Sequence, residues 1–267
     1  MDDGVSVNHL VRQAVSGRDE DFGEEFKAGI FLVDKPAGLT SFNIVSRVRR
    51  ILGMKKVGHA GTLDPFATGL LIVCAGRPAT KLISRFMAGQ KEYFATLCLG
   101  VATETFDTEG EVTSRTAVGR LSVEEIEACL ARFRGLQLQV PPRYSALKYK
   151  GKPLYYYARK GIKVEKDARQ VNIAVLERVD TLQDLSGEVA ELRLRVVCGK
   201  GTYIRTLAED IGKMLGCGAH LTALRRTRSG FFSLENSLTR DDFEADDARD
   251  IFMQKVFTVD EVCKLLQ

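Results

Sequence analysis

Histidine is scarce in this chain: His9, His59 and His220 are the only three, and they lie far apart. A zinc site built on imidazoles is therefore not expected. The six cysteines (Cys74, Cys98, Cys129, Cys198, Cys217 and Cys263) show no CxxC spacing, and several sit in apolar runs. They read as buried free thiols in a reducing compartment, with no metal clip implied. No apolar run approaches the roughly 20 residues that a bilayer-spanning helix needs. The N-terminus has no basic segment followed by an apolar one, so no export signal is expected and the cytoplasm is the expected location. Internal repeats and low-complexity tracts are absent. A turn at Gly199-Lys200-Gly201-Thr202 has the look of a phosphate loop, but the position five before Gly199 is Leu194. The glycine that a P-loop requires there is missing, which makes a nucleotide-hydrolysing enzyme remote.

At 267 residues, with 45% hydrophobic and 28% charged side chains, the chain can bury a large core and form one large domain or two. Its net charge of +4 hides an asymmetry. Residues 1–28 carry seven acids against three bases, and residues 235–267 carry nine against four. The middle is therefore far more basic than the total suggests. A core that basic points to a polyanionic partner, the plainer alternative being a solvated surface rich in lysine.

Hydrophobic periodicity and capping signals place the elements. Residues 1–28 are polar and acidic, expected as a flexible extension or marginal helix. An apolar strand at 30–33 leads through Pro36 and Gly38 to Thr40-Ser41, an N-cap for a helix to about Leu52. Leu70 to Ala75 reads as a buried strand, and Pro78 opens a helix to about Met87. Residues 91–100 read as a strand. Ser122 and Glu125 form a capping box for a helix to about Phe133. Segments 170–180 and 188–198 are strand-like, the second alternating Ala190, Leu192, Leu194 and Val196 with charged residues. Helices are expected at about 202–215 and 219–227, and a last acidic helix over Asp241 to Asp250. Strands and helices without strict βαβ alternation imply an α+β fold, a mixed and largely antiparallel sheet flanked by helices.

The segment Gly58-His59-Ala60-Gly61-Thr62-Leu63-Asp64-Pro65 carries the clearest chemical signal. Pro65 biases Asp64 toward an extended backbone and stops any helix there. The buried strand follows within a few residues, so the carboxylate is held in a loop anchored to the core, where function often sits. On these residues alone, a turn or cap role for Asp64 is the commoner one. Residues 143–163 are a second signal. They hold Arg143, Lys148, Lys150, Lys152, Arg159 and Lys160, no acid, and five of the seven tyrosines. Cations that neutralise phosphates beside rings that stack on bases suit an RNA surface. An amphipathic element whose tyrosines face the core is the alternative.

Four pieces, VDKPAGLTS, GHAGTLDPFATGLL, KEYFATLCLG and CGKGTYIRTLAEDIG, stand in this order between roughly residues 29 and 234. Together they resemble the TruB-type tRNA pseudouridine synthases, and LGVATETFDTEG is similar to the bacterial branch. The resemblance implies a pseudouridine synthase fold over 29–234 with an inserted RNA-gripping arm at about 143–163. It implies isomerisation of uridine 55 in the T-loop of tRNA, with no cofactor and no metal. It implies that Asp64 is the essential carboxylate, Arg205 its guanidinium partner and Tyr93 the ring stacked on the uracil. Tyr203 and Leu224 would wall the uracil pocket, His59 would stack near the flipped nucleotides, and Lys35 would support the loop or meet phosphate. Read without the resemblance, Tyr93, Tyr203 and Leu224 are core residues, Arg205 a surface residue and His59 a satisfied polar group. Whether Asp64 attacks C1′, attacks the base or removes a proton stays open.

Relatives often carry a C-terminal PUA-type domain. Here the acidic segment 235–267 is too short for a complete one, and a monomer acting on the T-stem-loop is expected. A non-catalytic tRNA-binding or folding protein, and a synthase acting on another RNA, are the competing readings.

Overall fold

The structure, a computed structural model, describes residues 26–180 and 183–266. The expectation for the first 25 residues lies outside them. The described residues form two compact units, one of residues 26–89 with 228–266 and the other of 90–180 with 183–227.

In the first unit, strand β1 (Gly29–Lys35) pairs antiparallel with β3 (Thr68–Ala75), Gly29 opposite Ala75 and Lys35 opposite Gly69. A short strand β2 (Val57–Ala60) also pairs antiparallel with β3. Helix α1 (Ser41–Leu52) begins at Thr40, whose side chain accepts from the Asn43 N–H while Asn43 caps Thr40 in return. Ile44, Val45, Val48 and Leu52 form its buried stripe, the spacing of a core-facing helix. Both faces of β1 and β3 are covered, because Leu70 to Ala75 are all fully buried. Each such aliphatic side chain stabilises the fold by about 1.5–3 kcal/mol. One face packs with Phe86, Phe232, Phe257 and Val262. The acidic C-terminal stretch is thus core material: Leu238 donates to Leu32 and accepts from Asp34, and Ile30 exchanges two backbone bonds with Phe257.

The second unit carries most of the strand Ala219–Ser229 and, beside it in order, β4 (Lys91–Leu99), Ala190–Cys198, Arg169–Arg178 and Gly135–Gln139, these last four paired antiparallel. The Ala190–Cys198 strand pairs with β4 over its whole length. Ser122 and Glu125 cap a helix at Val123–Ala131, and a second helix spans Ile204–Met214. A single parallel bridge, Asp107 to Leu221, lies outside these ladders. The fold is α+β with a mixed, largely antiparallel sheet.

Three local expectations are corrected. The helix expected at 219–227 is a strand. Leu221 and Leu224 mimic a helical stripe, but Thr222 and Thr227 hydroxyls bond to carbonyls of Thr96 and Glu92 on β4, and sheet pairing overrides local propensity. The preceding helix stops because Gly216 and Gly218 take left-handed φ values of 81° and 72°. A Cβ on Gly212 would collide with the returning backbone at Ala219. The single helix expected from Pro78 is two short ones, Arg77–Thr80 and Ile83–Ala88. The last acidic helix is broken at Ala245, which is extended, into Arg240–Glu244 and Ala248–Gln254.

Candidate active site

Asp64 lies in the loop that joins β2 to β3, and the loop is fastened on both sides of it. On the N-terminal side, Leu63 is 3% exposed. Its N–H donates to the Ser41 hydroxyl at 2.9 Å, and that hydroxyl donates back to the Leu63 carbonyl at 3.1 Å. On the C-terminal side, the Pro65 carbonyl accepts from the Gly38 N–H at 2.9 Å and from Lys35 Nζ at 3.2 Å. The Ala67 N–H closes the turn onto the Asp64 carbonyl at 3.1 Å. These bonds use backbone atoms and the side chains of Ser41 and Lys35. The half-buried side chain is presented from a rigid frame.

Lys35 is fully buried, and its ammonium also donates to Leu39 at 2.7 Å and Pro36 at 2.9 Å. Carbonyl dipoles compensate the buried charge. Of the two roles expected for Lys35, loop support is the one this geometry favours. Lys35→Met should leave these carbonyls short of a donor and destabilise the protein by about 2–3 kcal/mol, read as a lower urea midpoint. His59 sits on β2 opposite Val73, not in a free loop.

The second unit holds the other expected residues. Tyr93 is on the buried face of β4 at 9% exposure, opposite Val196. Leu224 is buried on the Ala219–Ser229 strand. Tyr203 stands at the N-cap of the Ile204–Met214 helix. Its backbone is gripped by one amide: Tyr203 N–H donates to Gln139 Oε1 at 2.7 Å, and Gln139 Nε2 donates to the Tyr203 carbonyl at 3.0 Å.

Arg205 is not the surface residue that its helix position suggests, being 4% exposed. Nη1 donates to the Thr105 carbonyl at 3.0 Å and Nη2 to the Tyr144 carbonyl at 2.9 Å. Nε faces Asp107 Oδ2 at 3.5 Å. Asp107 is 2% exposed, and no motif in the sequence marks it as a site residue. Its carboxylate also accepts from the Thr105 hydroxyl and from the Glu109 N–H. The turn is tight: Phe106 has φ of 63°, a strained value for a side chain of that size. A Cβ on Gly110 would strike Thr105. The signal available was a second Asp in a turn closed by glycine, inside a motif already marked as distinctive.

The arm at 143–163 makes a hairpin, Lys148–Tyr149 with Lys152–Pro153, turned by Lys150 and Gly151 at φ of 45° and 81°. A short helix Leu154–Ala158 follows, with Leu154 and Ala158 buried. Arg143, Lys148, Lys150, Lys152, Arg159 and Lys160 are all exposed. The tyrosines are partly spoken for within the arm. Tyr157 packs edge-on against Tyr149 and Tyr156. Lys152 and Lys160 lie 4.3 and 4.7 Å from the Tyr156 ring centre, and Arg159 covers Tyr155 at 5.4 Å.

Comparison with known proteins agrees with this architecture. Residues 49–204 match the profile of "TruB family pseudouridylate synthase (N terminal domain)" and residues 205–257 that of "tRNA pseudouridylate synthase B C-terminal domain". The chain is 66% identical over 244 residues to the tRNA pseudouridine synthase B of Desulfotalea psychrophila, covering 91% of this chain and 99% of the relative. It is 54% identical to the protein of the same name from Chromobacterium violaceum, over 81% of this chain and 68% of the relative. Among solved structures it resembles a chain of a Cbf5-Nop10-Gar1 complex, with a TM-score of 0.64 and 28% identity, over 87% of this chain and 60% of that one. Extended identity and two consecutive profile matches assign the chain: it belongs to the TruB family of pseudouridylate synthases.

Proposed function

We propose that this protein isomerises uridine to pseudouridine at position 55 in the T-loop of tRNA, acting as a monomer in the cytoplasm. The N1–C1′ bond breaks, the uracil turns, C5 bonds to C1′, and the proton at C5 is lost while N1 gains one. Every bond is exchanged within one nucleotide, so the reaction needs no external cofactor. The observation that carries the reading is the Asp64 loop, which is clamped on either side and presents a half-buried carboxylate of the kind that works as nucleophile or base. The target nucleotide must leave its stack to reach it.

In this reading Arg205 aims and keeps ionised the working carboxylate. Asp107 and the carbonyls of Thr105 and Tyr144 fix the guanidinium, so Asp107 acts as a positioning residue. Tyr93 stacks on the uracil, Tyr203 and Leu224 wall it, and His59 meets the remodelled loop. Lys35 keeps the Asp64 loop in shape. The exposed cations of the arm neutralise phosphates of the stem. Carbodiimide adduct mapping of a tRNA transcript after incubation with the enzyme tests the position. A reverse-transcription stop at uridine 55, absent when that uridine is replaced by cytidine, is expected; a stop elsewhere, with none at 55, would refute the assignment.

The arm also predicts a pH effect. Hydrogen bonds from Lys160 and Lys152 lower the Tyr156 phenol to about 8. Above that pH the phenolate adds a negative charge among the phosphate-binding cations. RNA affinity should therefore fall as pH rises from about 7 to 9, and Tyr156→Phe should flatten the fall. Equal pH profiles for the two proteins in a filter-binding titration would contradict it.

A further inference from the structure

The root of the arm is tied to the second unit by more than its own chain. Two buried prolines, Pro141 and Pro142, separate Gln139, at the end of the Gly135–Gln139 strand, from Tyr144. Each proline ring fixes its own φ, so the link is stiff. At its near end Gln139 is 5% exposed, and both polar atoms of its side-chain amide go to one residue. Oε1 accepts from the Tyr203 N–H at 2.7 Å and Nε2 donates to the Tyr203 carbonyl at 3.0 Å. At its far end the Tyr144 carbonyl accepts from Arg205 Nη2 at 2.9 Å. The Tyr144 hydroxyl donates to Glu104 Oε1 at 3.2 Å, next to the Thr105 carbonyl that takes Arg205 Nη1. The helix of the arm is fastened just beyond: the Tyr155 N–H donates to the Ser145 carbonyl at 3.1 Å and the Leu154 N–H to the Leu147 carbonyl at 2.8 Å.

A helix N-terminus is ordinarily capped by the side chain of the N-cap residue itself. Tyr203 stands at that position and makes no side-chain cap; its backbone is held from 64 residues away. An amide that both donates to and accepts from one residue fixes orientation as well as distance, the pairing a neighbouring strand would otherwise supply. The residue held in this way is the proposed wall of the uracil pocket, and Arg205 follows on the first turn of the same helix. The root therefore grips the site at two points, Tyr203 through Gln139 and Arg205 through Tyr144. With stiff prolines between them, the two points move as one piece. A shift of the arm is delivered to Tyr203 and Arg205 together, and small displacements of such groups are costly to a reaction.

We propose that Gln139 is a positioning residue that couples the arm to the uracil pocket. An arm seated on an RNA stem sets, through Gln139 and the Tyr144 carbonyl, the placement of Tyr203 and Arg205, so arm contacts raise the rate of the chemical step as well as the affinity. The inference rests on the reading of Tyr203 and Arg205 as parts of the catalytic site. The test is single-turnover tritium release from a tRNA transcript labelled at uracil C5, with each protein titrated to saturation to separate the maximal rate from the dissociation constant. Four full-length proteins are compared: the wild type, Gln139→Met, the arm triple Lys148→Gln, Lys150→Gln, Lys152→Gln, and the two combined. Gln139→Met, which keeps the length of the side chain and can no longer grip Tyr203, should lower the maximal rate about 10- to 100-fold. Its dissociation constant should stay within about two-fold of wild type, the split expected of a group that acts on the transition state alone. The arm triple should weaken binding and also lower the maximal rate about 5- to 10-fold, and this rate loss should vanish in the Gln139→Met background. A maximal rate for Gln139→Met within about two-fold of wild type, or a combined variant whose rate loss is the product of the two single losses, would overturn the proposal. If Gln139→Met lowers the melting temperature, Gln139→Glu replaces it: it keeps the acceptor for the Tyr203 N–H and loses the donor, and a rate loss of about 10-fold with the same non-additivity is expected. A wild type that releases no tritium would sink the catalytic reading and the coupling together. Release by the wild type with Gln139→Met at full rate would sink the coupling alone.

Discussion

Asp64→Asn should abolish turnover while leaving RNA affinity and the melting temperature close to wild type. The substitution keeps the shape of the side chain and removes its charge. The loop should survive, because its fastenings run through the backbone of Leu63, Pro65 and Ala67 to Ser41, Gly38 and Lys35. None of these bonds uses the Asp64 carboxylate. Loss of a group that acts as nucleophile or base lowers the rate by about four to six orders of magnitude. Single-turnover kinetics with saturating RNA, paired with a binding isotherm, separate this from a folding or affinity defect. Retention of more than a few per cent of the wild-type rate would remove Asp64 from the chemistry.

The second large effect is expected at the buried Arg205–Asp107 pair. Both side chains are almost wholly excluded from solvent, and each has further hydrogen bonds. Such a pair adds little net stability against an apolar replacement, but removing one partner strands the other charge. Asp107→Ala should therefore destabilise the protein by about 3–5 kcal/mol, read from urea denaturation. At a temperature where it remains folded, its rate constant for product formation should fall by about 100-fold. Asp107→Asn keeps the shape and much of the hydrogen bonding, so it should recover more stability than turnover. Arg205→Lys should not restore the rate, since a single ammonium cannot reproduce the planar guanidinium fork. Wild-type turnover by a folded Asp107→Asn would refute the positioning role.

Much of the fold was legible because local and tertiary preferences agree. Thr40 and Ser122 announce their helices by capping boxes. Leu70 to Ala75 are apolar without interruption because both faces of β3 are covered. The alternation from Ala190 to Val196 records one buried face. Where the two disagree, the reading failed. Ala219–Ser229 carries leucines at a helical interval, and its partner strand β4 is more than a hundred residues away in sequence, so nothing local reveals the pairing.

The candidate site divides in the same way. The loop that holds Asp64 was legible because proline and glycine fix it. The Asp107 contact was not, because it is a 3.5 Å approach to Arg205 across nearly a hundred residues of sequence. The buried Lys35 ammonium was equally hidden: a lysine next to a proline looks exposed until its three carbonyl acceptors are assembled.

The most direct test of the central claim is tritium release from a tRNA transcript labelled at uracil C5, with wild type and Asp64→Asn assayed side by side. Bond formation between C5 and C1′ expels that hydrogen, so release follows the isomerisation itself. The wild type should release one tritium for each modified uridine, and Asp64→Asn none above background. Comparable release by both proteins, or none by a wild type that binds the transcript tightly, would contradict the account.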